Sequence, residues 1–411
     1  MTSLHVTGRV FRPGDPGYDQ HRKPLNPTLD PRPALVVQAA GVADVQAVVL
    51  ASRRHSRPFA VQATGHGTHV AHDGAFLLRT GAMAAVLIDP DRRVARVGPG
   101  ARWGDVLRAA APFGLAPLSG SSPDVGVTGY TLGGGLGWLA RRYGLAADSV
   151  LRAMVVTADG SLQVADPDRN AELFWALRGG GGSFGVVTGL EFRLYPVAQV
   201  YAGAVTFGRE RAAETLAFYR DWTGRVPDAL STAVLLNRDA TLTVKAMYTG
   251  DPDRGRRLLE PLLRVAGPVR QDSLRVVDYA QAAMGGTYAR TFDQVHTLDD
   301  DLIAALVAEP GATVEVRHWG GRIARDRGAA AHRDAPLSVV LDTVASTRTA
   351  AALARTGIGS SFLNFLHDPS RTASAFTADN WTALRRIKAM VDPDNVFGVG
   401  SYSAASCSAA S

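Results

Sequence analysis

Two glycine-dense stretches constrain this chain more than any other feature. The first runs from Gly114 through Gly120, Gly126, Gly129 and Gly133-Gly134-Gly135 to Gly137-Trp138; the second is Gly179-Gly180-Gly181-Gly182-Ser183-Phe184-Gly185-Val186-Val187. Both are bounded by aromatic and β-branched residues, which sets them apart from flexible linkers. Glycine has no Cβ, so its backbone N–H groups can approach an anionic or planar ligand, and positive φ costs it little. A large ligand lying across main chain is the reading these stretches invite.

The flanking sequence alternates strand and helix. Strand Ala34–Gln38, a helix with Asp44 as its N-cap, and strand Phe59–Gln62 form an α/β unit, followed by the turn Ala63-Thr64-Gly65-His66-Gly67-Thr68-His69. Short strands are expected at Leu77–Arg79, Ala85–Ile88 and Arg93–Val97, and a helix over Trp103–Phe113. Asp159-Gly160 predicts a hairpin joining Met154–Ala158 to Ser161–Val164. Asn170–Leu177 reads as a capped helix and Gly185–Leu194 as a strand. After Pro196 the pattern shifts. Strand-like segments Val200–Phe207, Thr232–Leu236, Thr241–Tyr248, Ala312–Trp319 and Leu337–Val344 alternate with helices at Arg211–Trp222, Asp253–Val265, Asp299–Ala308 and Arg348–Arg355. This predicts a second, α+β unit, an antiparallel sheet covered by helices. A last helix, Asp379–Val391, stops before Asp392-Pro393-Asp394-Asn395-Val396-Phe397.

Composition narrows the function classes. With 411 residues, 46% of them hydrophobic, the chain can bury two substantial cores. Its 44 basic and 38 acidic residues give a net charge of +6, but the arginines are dispersed without a long run or interleaved aromatics, so no nucleic-acid partner is expected. No stretch approaches the roughly 18 apolar residues of a membrane span, and the start is polar and proline-rich, so the expectation is a cytoplasmic protein with no membrane partner. The single cysteine, Cys407, excludes an internal disulfide and a cysteine metal cluster, and the small-residue tail around it is assigned no function.

Four chemistries compete for the motifs. Gly180–Gly185 fits G-x-G-x-x-G, but a helix precedes it and a strand follows, the reverse of a dinucleotide-binding turn, and the match is rejected. His66, His69 and His72 repeat every three residues, yet in a glycine-rich turn with only Asp73 nearby they lack the rigid placement of metal ligands, and no metal is assigned. Ser119, Ser121 and Ser122 stand in no nucleophile-elbow motif. A flavin dinucleotide fits best. The turn Thr64–Thr68 after a strand offers N–H groups for a pyrophosphate, and the glycine stretches offer a flat slot.

The motifs Ala63-Thr64-Gly65-His66-Gly67, Val125–Gly137, Arg142-Tyr143-Gly144-Leu145-Ala146-Ala147-Asp148, Leu173–Thr188 and Asp392–Phe397 occur in one order over essentially the whole chain. In this the sequence resembles the berberine bridge enzyme-like FAD-linked oxidases of the vanillyl-alcohol oxidase superfamily. The resemblance implies an α+β protein: a PCMH-type, two-subdomain FAD-binding domain over residues 1–197, a substrate domain over 198–366, and a segment 367–411 returning to the first. It implies cofactor contacts from Thr64, Gly65, His66, Gly67, Thr68, Ser122, Asp124, Gly126, Val127, Gly129, Tyr130, Gly133, Gly134, Gly137, Val187 and Asn395. His66 matches the histidine that bonds covalently to the flavin in many members. Ser122 occupies the position of the cysteine that makes a second link, so one link at most is implied.

The implied reaction passes a hydride from a substrate C–H to flavin N5 while a base takes the adjacent O–H or N–H proton, and dioxygen reoxidises the flavin. Where many members carry Tyr-x-Asn, this chain has Phe362-Leu363-Asn364, so Asn364 is retained and the tyrosine base is missing. The strand before Gly320-Gly321 offers Glu315, Arg317 and His318 instead. Alternation puts His318 on the opposite face from the other two, and its ordinary pKa makes it the candidate base. Tyr248, Tyr279 and Tyr288 are held in reserve. The expected partners are a small-molecule substrate and dioxygen, in a monomer or homodimer. A second reading stays open: with no tyrosine base, the FAD is structural and the site is a non-redox cyclase or binding pocket.

Overall fold

The computed structural model describes residues 4–399 apart from 283 and 331; the tail with Cys407 lies outside them. The N-terminal sheet has the order Arg9–Phe11, Leu35–Gln38, Phe76–Arg79, Phe59–Gln62, the last three parallel. Its central strands are almost wholly apolar because both faces are covered. Leu35, Val37, Phe59 and Leu78 pack against Val45, Val48 and Val49 of helix Val42–Arg54, whereas Val36, Ala60 and Leu77 pack against Phe11 and Tyr18. Asp44 is not that helix's N-cap. Gly41 holds that position, and the Asp44 carboxylate instead accepts from the amides of Thr7 (2.7 Å), Gly8 (2.9 Å) and Ala40 (2.8 Å), tying the N-terminal segment to the helix.

A second sheet is antiparallel throughout, in the order Val86–Asp89, Val94–Val97, Val186–Arg193, Val150–Val156, Leu162–Ala165. It contains the hairpin expected at Asp159-Gly160, and the helix Ala171–Leu177 precedes the second glycine cluster as the sequence order required. The first cluster is not all loop: Val127–Leu132 is a short helix, and Gly129 lies inside it.

The third sheet has eight strands. Seven run in the order Val269–Asp272, Gln199–Gly208, Thr241–Tyr248, Leu230–Leu236, Val314–His318, Leu337–Leu341, Thr291–Val295, and Arg275–Asp278 also pairs with Gln199–Gly208. Thr291–Val295 and the two edge strands were not foreseen. Side chains alternate between two environments. Val234, Val244, Val314, Val316 and Val339 pack under the helices Ala212–Thr223, Pro252–Ala266, Asp300–Val307 and Thr347–Thr356. Ala202, Ala233, Leu235 and Met247 face the other way, into a core shared with Trp103, Val127, Trp138 and Phe192. The chain ends by packing back on the first part: Trp381, Leu384 and Ile387 of helix Ala378–Val391 join that core, and Phe397 sets its ring 5.5 Å from Phe59. Among the described residues, no helix is long and apolar enough to cross a membrane.

Candidate active site

The turn after strand Phe59–Gln62 meets the segment Ser121–Tyr130. A Cβ on Gly126 would lie 3.2 Å from Thr64 Oγ1, so the Gly126 backbone lies against the Thr64 side chain. Gly65 has φ +86, the left-handed conformation that glycine adopts without strain, and it turns the chain sharply. His66 is exposed; its Nδ1 lies 2.9 Å from Thr64 Oγ1, and no partner of Nε2 is found among the described residues. Partial desolvation holds its pKa below the ordinary histidine value, with nearby Asp124 opposing, so the ring is neutral at pH 7. Thr68 Oγ1 lies 3.5 Å from Gln62.

The glycines divide into two kinds. Gly67 and Gly129 are exposed, and a Cβ at either would meet nothing within 4 Å. Several others are close-packed within the protein. A Cβ at Gly133 would come 2.9 Å from Asn364, at Gly134 2.9 Å from Phe362, and at Gly135 2.6 Å from Tyr130, while Gly137 is pressed against the Ser119 carbonyl. On the Cβ side, Gly133, Gly134 and Gly137 are met by protein, whereas Gly67 and Gly129 are open, as is exposed Gly182, whose Cβ would meet only Leu132 at 3.8 Å. Val187 is likewise buried in the core.

Two other expected residues lie elsewhere. Asn395 sits in an exposed turn at φ +51, beside Arg53, Arg57 and Pro58, at the far end of strand Phe59–Gln62 from the His66 turn. The active member of its motif is Asp392, buried, which accepts from the amides of Val396 (2.8 Å) and Phe397 (2.9 Å) and from Lys388 Nζ (2.5 Å). His318 faces the helix side of its strand. Its Nε2 lies 2.6 Å from Nη1 of Arg141, and burial together with that cation pushes its pKa well down. Nε2 must accept from the guanidinium, so His318 has no free lone pair facing the cofactor side. Asn364 is also occupied: Oδ1 accepts from Gly135 N (2.9 Å) and Nδ2 donates to Tyr130 O (2.9 Å). It pins the glycine segment from both ends.

The sheet surface that faces the glycine segment carries Glu315, Arg317 and Lys245. The register aligns Lys245, Ala233 and Arg317 across three strands, with Leu235 beside Glu315. Arg317 is 7% exposed, stacks its guanidinium 4.6 Å over the Trp138 ring, and leaves Nη2 without a hydrogen-bond partner among the described residues. Trp138 Nε1 donates to Ser121 Oγ at 3.2 Å. Glu315 accepts from Thr287 Oγ1 at 2.7 Å, and the neighbouring Gly286 approaches Ser121. Tyr130 buries a hydroxyl with no partner among the described residues, its pKa pushed up by desolvation. Ser119 and Tyr279 pair with each other at 3.0 Å, and Tyr279 also donates to the Pro117 carbonyl, which makes both structural. The three turn histidines diverge: His69 sets its ring 4.5 Å from His367, which neighbours Tyr288, and His72 is buried separately. Among the described residues no three potential ligands group for a metal.

Sequence reasoning named Glu315 and Arg317 but preferred His318. The signal that separates them was present in the strand itself. Val314 and Val316 are apolar, so the even face goes under helices and the odd, polar face looks toward the site. Lys245, between Val244 and Ala246, obeys the same rule.

A dinucleotide fits this arrangement: a glycine turn after a strand, a neutral histidine with a ring nitrogen unpartnered among the described residues, an open face at Gly129, and a polar sheet surface packed on Trp138. Fold and site together define an FAD-binding protein of the PCMH type. Residues 33–166 match the FAD binding domain family. The chain is 33% identical over 287 residues to (R)-6-hydroxynicotine oxidase of Paenarthrobacter nicotinovorans, an alignment covering 68% of this chain and 62% of that one. The curated relatives it matches are thus spanned over about three fifths of their length. The solved structure of 6-hydroxy-D-nicotine oxidase from Arthrobacter nicotinovorans is similar at TM-score 0.86 and 27% identity, over 97% of this chain and 98% of that one. BBE-like 1 of Physcomitrella patens shares the fold at TM-score 0.86 and 21% identity, over 95% and 96% of the two chains. The chain thus carries an FAD binding domain and is similar in sequence and fold to FAD-linked oxidases.

Proposed function

We propose that this protein is an FAD-dependent oxidase acting on an alcohol, sugar-like or amine centre of a small molecule, with dioxygen as acceptor. When bound, FAD supplies a two-electron acceptor that dioxygen regenerates. The observation that carries the reading is the placing of a carboxylate, Glu315, on the same strand face as Arg317, which packs on Trp138 of the glycine segment. Glu315 accepts the substrate's O–H or N–H proton as the adjacent C–H is oxidised, with the Thr287 hydroxyl orienting it. His318, held by Arg141 on the other face, positions the strand. Asn364 holds Tyr130 and Gly135 in place for the cofactor.

His66 is the residue to bond the flavin covalently. Its exposed, neutral ring with Nε2 unpartnered among the described residues supports this, and Thr64 fixes the ring's orientation through Nδ1. Ser122, with no thiol, leaves this as a single link. Anaerobic mixing with a panel of alcohols, amines and oligosaccharides tests the reading: one class should bleach the flavin band, and Glu315→Gln should slow that bleaching by roughly a hundred- to ten-thousandfold. The second reading, structural FAD in a non-redox pocket, is favoured by Phe362, which lies in an apolar cluster with Trp319 and Phe365 and takes no proton. It requires turnover with the flavin band unchanged.

A further inference from the structure

Arg317 presents an energetic problem that the oxidase chemistry does not solve. A guanidinium that is 7% exposed, with one nitrogen sealed from solvent and unpartnered among the described residues, is costly unless an anion or a ring of acceptors receives it. No carboxylate makes an ion pair with it among the described residues. Glu315, two residues away on the same face, is engaged by Thr287. What holds Arg317 is the Trp138 ring on one side, which fixes its plane and leaves its N–H edge for something else. Lys245 lies in the same cross-strand row with only the small side chain of Ala233 between them. Two neighbouring strand spacings put the two cations' backbones about 10 Å apart, a gap for one small group.

We propose that the substrate carries a carboxylate, received by the planar N–H edge of Arg317 with Lys245 as the second cation. The inference rests on the functional reading above and names its substrate class. Charge selects a monoanion. Two cations and one carboxylate leave this surface at +1, which a carboxylate neutralises and a phosphate dianion would overshoot. Geometry agrees, since a stacked guanidinium offers two parallel donors matched to a carboxylate. Bound this way, the anion is anchored on one side of the surface while the reacting carbon lies toward Glu315.

The test uses the purified holoenzyme and simple probes: benzoate, its neutral isostere benzamide, and inorganic phosphate. Binding is read by calorimetry and by perturbation of the flavin absorption band. Benzoate should bind roughly ten- to a hundredfold more tightly than benzamide, and Arg317→Gln should remove that preference. Arg317→Lys should restore part of it, and Lys245→Gln should weaken benzoate by a smaller factor. Should Arg317→Gln fail to fold, the Lys245→Gln and Arg317→Lys variants still report. Equal binding of benzoate and benzamide to the parent protein overturns the proposal, as does tighter binding of phosphate than of benzoate. So does an Arg317→Gln variant that binds benzoate normally but shows a lowered flavin reduction potential, which would make Arg317 a cofactor contact. Arg317-dependent benzoate binding seen by calorimetry with no flavin response would support the anion site and instead overturn its placement beside the FAD.

Discussion

At the scale of single residues, two histidines that look alike in the sequence have opposite situations. His66 is exposed and neutral, with one nitrogen held by Thr64 and the other without a partner among the described residues. His318 is buried, with its acceptor nitrogen committed to Arg141. His66→Ala should therefore abolish flavin colour in the acid-precipitated protein while leaving a native protein that still takes up FAD; colour persisting in the pellet would refute the assignment. His318→Asn should leave the pH profile of flavin reduction unmoved, because a ring pinned against a guanidinium does not titrate as the base. A profile whose limb near neutrality vanishes in that variant would return the base role to His318. The contact with Arg141 is the physical argument against His318 as the base. An unperturbed pKa describes a side chain in water, and nothing in the residue's own identity reveals an arginine 177 positions earlier in the chain.

At the scale of elements, the glycine segment shows what composition can and cannot convey. The density of glycine correctly marked Gly114–Val187 as the structural centre, because main chain packs there with almost no side-chain spacing. It did not distinguish glycines that face a ligand from those that face protein, since both need the missing Cβ. The distinction came from Asn364 and Phe362, more than two hundred residues later, which press on Gly133 and Gly134. Mutation separates the two kinds. Gly134→Ala, at φ +110 and against Phe362, should destabilise the apoprotein by about 1–3 kcal/mol. Gly129→Ala, inside the helix Val127–Leu132, should instead stabilise the apoprotein by about 0.5–1 kcal/mol, the usual gain for alanine over glycine in a helix. Urea denaturation of both variants checks the opposite signs; equal destabilisation would mean Gly129 is packed like its neighbours. The helix itself escaped sequence reading because six residues with one glycine and three β-branched side chains carry little helical signal.

At the scale of the whole molecule, the two halves are joined by polar contacts as well as by a shared apolar core. Arg141 donates to the carbonyls of Leu230 and Trp319 across the seam, its pKa drawn down to about 10 by burial. His69 meets His367 there, and burial, reinforced by that second ring, pushes the His69 pKa from 6.5 to about 4. The unfolded chain binds this proton near pH 6.5 and the folded chain only near 4, so stability falls as pH drops through that window. The thermal midpoint should decline from pH 6.5 to 4, and His69→Asn should flatten the slope; an unchanged slope would show the ring is protonated in the native state. The α+β architecture was legible from alternation and from the turn at Asp159-Gly160. The edge strands Val269–Asp272 and Arg275–Asp278 were not, because their exposed, charged residues carry no alternating apolar signal.

The central claim is that the open face at Gly67 and Gly129 is where FAD lies. Its most direct measurement is the FAD content per chain of folded protein, parent against Gly129→Leu. The parent should carry close to one flavin per chain, and the leucine variant, folded by circular dichroism, should carry little or none. A colourless parent that takes up no FAD, or a leucine variant that retains a full complement, would contradict the account.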